Sequence, residues 1–150
     1  MNEDIVISGS LATWRMPPTV GDLGGTYTGV FEFRTFLDPI RILQAGREYR
    51  ELLGGLAIQA DDLEVKLAQI LIQLKYRIVK APPFWTSTEQ ESGMSGNIGD
   101  MNIIGMVFDA ATRAEDMFKE KIEKEKQAAL DRTIKAGEAL LEKKQADGNL

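Results

Sequence analysis

Cysteine and histidine are both missing from this 150-residue sequence. The first absence removes disulfides, thiolate nucleophiles and cysteine metal sites. The second removes imidazole bases, the Ser-His-Asp triad and the common zinc and non-haem iron sites. Aromatic residues make up only 7% within a hydrophobic share of 43%, which is lean for a compact globule. No apolar run approaches the ~20 residues of a membrane span, so no membrane contact is expected. A basic excess is lacking too: 18 Lys+Arg against 23 Asp+Glu leave a net charge of −5. That balance argues against a nucleic-acid partner, which needs a positive footprint. Glu3 and Asp4 stand where a secretory signal would be basic, so a cytosolic origin is the expectation.

What is present falls into three stretches. Residues 1–25 carry the punctuation Ser8-Gly9-Ser10, Pro17-Pro18, Gly21, Gly24 and Gly25, which breaks both helix and strand periodicity. The same stretch carries Ile5, Val6, Ile7, Leu11, Trp14 and Met16, residues a disordered tail lacks. It reads as an extended arm lying on a surface, its own or a partner's, with Ile5–Ile7 able to add a short strand. Residues 26–37 read as strand, with Phe31, Phe33 and Thr35 alternating against Glu32, Arg34 and Phe36.

Asp38-Pro39 is a helix start, a capping carboxylate followed by proline at the first helical position. The helix runs to Gly54-Gly55 with Ile42, Leu43, Gly46, Tyr49 and Leu53 on its apolar face. Gly46 on that face allows another backbone to approach closely. A second helix begins at Asp61-Asp62 and ends before Pro82-Pro83. Its two apolar stripes mark it as the central core element. Phe84 and Trp85 then fold back on the core, and residues 86–100 read as a long polar loop. The last helix starts near Asp100, or with Asn97 as its cap. Its face is apolar from Ile104 to Phe118 and thins to Ile122, Leu130, Ile134 and Leu141. Residues 101–145 would span roughly 65 Å as helix, more than a domain this size buries. The distal part therefore projects, folds back or packs on another chain. The expected fold is mainly α: a small three-helix core with an extended N-terminal arm (1–25), a helical body with a short β-strand or hairpin (26–118), and a projecting charged helix (119–150).

Chemistry-bearing motifs are scarce. Gly21-x-x-Gly24-Gly25 lacks the spacing and flanking elements of a phosphate loop. Asp61-Asp62-x-Glu64 lacks the pattern of a calcium loop. Asp100 is explained as a helix cap, and Glu48 and Glu51 as a solvated helix face. No catalytic residue, cofactor, metal or small-molecule substrate is expected, and the chain is read as no enzyme. The third class considered, an enzyme or nucleotide-binding regulator, would need the 21–25 and 86–100 loops close together. The candidate partner-binding residues are Ile5, Val6, Ile7, Leu11, Trp14 and Met16 in the arm, and Leu130, Ile134 and Leu141 in the charged helix.

Taken in order, MPPTVGDLGGTYTGVFEFRTFLDPIRILQAGREYRELLG, LAQILIQLKYRIVKAPPFW and GNIGDMNIIGMVFDAATRAE resemble small virion-associated or assembly proteins of tailed bacteriophages. The resemblance covers residues 16–120 by segment order and transfers no functional residue. It implies a multi-copy structural or assembly role in the virion, assembled in the host cytoplasm. The partners it implies are capsid, portal or tail proteins and further copies of the chain. The alternative is an assembly chaperone that leaves before the particle is complete. On this reading, removal of residues 1–25 leaves a folded helical protein that no longer joins the particle.

Overall fold

The computed structural model describes residues 4–54, 61–86 and 100–148. Most of the expected polar loop over 86–100, and the alternative cap Asn97, lie outside the described residues. The elements in chain order are β1 (Ile5–Ser8), β2 (Leu11–Val20), β3 (Thr26–Arg34), α1 (Pro39–Leu53), α2 (Asp62–Arg77), β4 (Ile78–Lys80), α3 (Pro83–Thr86) and α4 (Met101–Gly148). The strands form one antiparallel sheet in the order β1-β2-β3-β4.

This sheet overturns the expected mainly α, three-helix core. Helix makes up 66% and strand 21% of the described residues, yet of the five largest fully buried side chains four, Trp14, Phe31, Phe33 and Met16, sit on the strands, and the fifth is Trp85 of α3. The stretch expected to be an arm supplies two of the four strands. Gly9 and Ser10 form a two-residue connection between Ser8 and its partner Leu11, with Gly9 at φ 61°. Glycine at the first central position is what a tight hairpin turn requires. Ala12, Trp14 and Met16 then alternate inward along β2, and Phe31 and Phe33 do the same along β3, the period of a half-buried sheet. Pro17 and Pro18 do not break β2 because its pairing with β3 shifts between Met16 and Thr19. Prolines are tolerated where a ladder is interrupted in this way. The second correction lies at the end of α2. The expected helix to Pro82 stops at Arg77, and the β-branched Ile78 and Val79 pass into β4 instead.

The contacts divide the chain into two units, Met1–Glu115 and Asp116–Leu150, with the boundary inside α4. In the first unit the Phe31 ring lies 5.4 Å from Trp14, 5.8 Å from Phe33 and 5.5 Å from Trp85, measured between centroids. This aromatic cluster and the buried face of α4 (Ile103, Ile104, Val107, Ala110, Ala111 and Ala114) make up most of the core. Asp38 caps α1 by accepting from Arg41 N at 2.9 Å, and Asp61 caps α2 by accepting from Glu64 N at 2.8 Å. Asp100 caps α4 from a buried position. It accepts from Asn102 N at 3.1 Å and, across 77 residues, from Leu23 N in the β2–β3 turn at 3.0 Å. The second unit is α-helix through Gly148, and from Lys119 to Ala146 every side chain is exposed except the half-buried Ile122.

Candidate interaction surfaces

The sequence-expected partner residues fall in different environments. Ile5, Trp14 and Met16 are buried in the chain's own core, with Trp14 only 1% exposed. The Trp14 indole N–H donates to Asp4 Oδ2 at 2.9 Å, which satisfies the polar edge that a buried tryptophan must place somewhere. Burial pushes the Asp4 carboxyl up, but that hydrogen bond and Arg113 outweigh it and hold Asp4 below its usual value. Ile7 and Leu11 are half-buried, and Val6 is exposed on the edge strand β1. Leu130, Ile134 and Leu141 are exposed on α4, in the second unit. The structure therefore places Ile5, Trp14 and Met16 in the core, Ile7 and Leu11 at its margin, and Val6 and the α4 residues on the surface.

That row is well defined. Leu130, Ile134, Gly137 and Leu141 recur at helical spacing, and Leu140 lies beside them. Ile134 is 49% exposed and Leu141 62%. Around it run charges of both signs, with Gln127 donating to Asp131 at 3.0 Å and Lys126 near Glu123 at 3.7 Å. Such pairs support an exposed helix by tenths of a kcal/mol and do not explain the apolar row.

A second surface escaped the sequence reading. Between α1 and α2, with Glu115 of α4 at one side, lies an open cleft of about 510 Å³. Phe36, Ile42, Gly46 and Tyr49 form its apolar wall, opposite Gln69 and Gln73 of α2. The α1 stripe that the sequence assigns to a core thus faces a cleft, and Ile42 is 55% exposed. Its periodicity was legible. What it faces was not, because that depends on where α2 and the sheet place α1.

The cleft is braced by ionic contacts. Arg77 pairs with Glu115 and donates from Nε to Gln73 Oε1 at 3.1 Å. Behind the cleft, Glu48 of α1 accepts from Lys75 Nζ at 2.8 and 2.7 Å and from the Tyr76 hydroxyl at 2.6 Å. Burial raises the Glu48 carboxyl, but these charged and neutral donors more than offset it and hold it below its usual value. Burial and the Glu48 hydrogen bond together push the Tyr76 hydroxyl up to about 12. Both effects favour the same state, a charged glutamate accepting a hydrogen bond from a neutral phenol. The cluster joins α1 to α2.

The 21–25 turn meets Asp100, the last residue of the 86–100 stretch, of which residues 87–99 lie outside the described residues. There the Asp100 carboxylate already takes the Asn102, Ile103 and Leu23 amides. Those are the donors a bound phosphate would use at a helix N-terminus. A Cβ on Gly21 would also run into that carboxylate. Among the described residues no three carboxylates gather as a metal site, and no helix is long and apolar enough to cross a membrane.

No protein-family model, no curated protein and no solved structure matches the chain.

Proposed function

We propose that this chain is a non-enzymatic structural or assembly component of a tailed-phage particle, held to capsid, portal or tail proteins and to other copies of itself by protein contacts. The observation that carries the reading is the distal half of α4, a folded helix bearing an apolar row that nothing among the described residues covers. An apolar row on a helix gains free energy only when something covers it. The particle itself is suggested by the segment order of residues 16–120, which resembles small phage virion and assembly proteins. Because Ile5, Trp14 and Met16 fill the chain's own core, the contact is assigned to Leu130, Ile134 and Leu141. A modest helix contact of this kind becomes firm when repeated over many copies.

Quantitative mass spectrometry of purified particles and of the lysate that yields them tests this role. A structural component is expected in many copies per particle. Presence in the lysate with absence from the particle would replace it with the departing chaperone.

A further inference from the structure

Two apolar rows in this chain share one spacing. Ile42, Gly46, Tyr49 and Leu53 follow one another at steps of 4, 3 and 4 along α1, and Leu130, Ile134, Gly137 and Leu141 do the same along α4. Each row is roughly 16 Å long at about 1.5 Å per residue. Ile42, Gly46 and Tyr49 of the first line the open cleft between α1 and α2, and Leu53 follows one turn beyond them, half-buried. The second is exposed along its length. Two packed helices with an open groove lack the third helix that would complete a bundle. The same chain carries a helix that lacks a groove.

We propose that the distal α4 of a second copy of this chain fills the α1–α2 cleft, running antiparallel to α1. In this alignment Ile42 meets Leu141, Tyr49 meets Ile134, and Leu53 meets Leu130. Gly46 then faces Gly137. A Cβ built on Gly137 would find open space, and one on Gly46 would touch only the flexible Arg50 guanidinium, so the two backbones are free to close together at that layer. The alignment is also the one that charge favours. It sets Arg50, on the outer edge of the α1 row, beside Asp131 of the second copy. Arg50 has no ion pair among the described residues, and Asp131 accepts only from an uncharged partner, Gln127. A parallel alignment would put Thr133 beside Arg50 and leave both charges without an opposite. Each copy offers one cleft and one helix, so the contact is heterologous. It either reciprocates in a closed pair or continues into rings and chains. This rests on the reading that the chain acts through protein contacts. A chain that stays monomeric yet enters particles would overturn the present proposal and leave that reading standing.

Sedimentation velocity of the full-length chain over a concentration series is the test, with two variants analysed singly and mixed. Ile134→Glu removes the row at an exposed position. Gly46→Leu fills the cleft at a position with room for a side chain and raises helix propensity, and Ile42→Glu serves as a second cleft variant. The wild type is expected to associate as concentration rises, and each variant alone to remain monomeric with unchanged helical circular dichroism. An equimolar mixture of Ile134→Glu and Gly46→Leu keeps one good cleft and one good row, so it should form a 1:1 complex and nothing larger. A wild type that stays monomeric throughout overturns the proposal. So does a mixture that stays monomeric, or cleft variants that associate as well as wild type while Ile134→Glu does not, since the row would then pair with itself.

Discussion

At the scale of single residues, Asp100 ties the start of α4 to the β2–β3 turn 77 residues away. Its buried carboxylate caps α4 and also holds Leu23 N at 3.0 Å. Losing a cap costs about 0.5–2 kcal/mol, and a buried donor left unsatisfied adds about 1–3 kcal/mol. Asp100→Ala is therefore expected to lower stability by about 2–4 kcal/mol in urea unfolding. Asp100→Asn, which keeps one acceptor oxygen, should lose less. Equal losses for the two substitutions would show that charge, and not the acceptor geometry, matters there. Glu48 acts differently because its carboxyl titrates. Its value in the fold lies below that of the unfolded chain. The stability it contributes is thus fully present above the unfolded value and is lost as pH falls through the folded one. Tyr76, raised to about 12, contributes stability below its ordinary value of 10.0 that is lost as pH rises toward 12. Glu48→Gln is expected to flatten the acid limb of a denaturant-midpoint profile taken from about pH 6 down to about pH 3. An unchanged acid limb would place the titrating contribution on another carboxylate.

At the scale of elements, the N-terminal hairpin changes what a truncation should do. Deleting residues 1–25 removes β1, β2 and the buried Ile5, Ala12, Trp14 and Met16. Truncating a single buried large side chain costs about 2–5 kcal/mol, and a domain's whole stability is about 5–15 kcal/mol. The truncated chain is expected to lose cooperative thermal unfolding followed by near-ultraviolet circular dichroism. A sharp transition in that chain would return residues 1–25 to the status of an arm. The helix starts at Asp38-Pro39 and Asp61 were legible in the sequence because capping is local chemistry. So was the inward row of Phe31, Phe33 and Thr35, because alternation belongs to the strand itself. The hairpin was hidden by Pro17-Pro18 and the glycines, which ordinarily end a strand. They are accommodated here only because the β2–β3 register shifts at that point. The strand at Ile78–Lys80 was hidden too, since its apolar residues continue the α2 pattern and only pairing with Glu32 and Phe33 makes them a strand. For the candidate site, the α4 row was read from spacing alone, while the cleft required the placement of α1 against α2.

At the scale of the whole molecule, the composition, lean for a globule, is unevenly placed. Met1–Glu115 holds the buried aromatics, and Asp116–Leu150 holds a helix whose described side chains are almost all exposed. Residues 101–150 carry 9 basic and 10 acidic side chains, so no strong charge of one sign steers that helix toward nucleic acid or a charged surface. Its apolar row is the feature that a partner would cover. Hydrogen exchange reads that covering directly, because an exposed helix opens locally at small free-energy cost and a covered one does not. Amide exchange across residues 126–146, compared between the dilute chain and the chain in its assembled state, is the most direct measurement of the central claim. The amides around Leu130, Ile134 and Leu141 should exchange fast when free and slow markedly on assembly. Equal exchange in both states would contradict the claim that this row is the protein's contact surface.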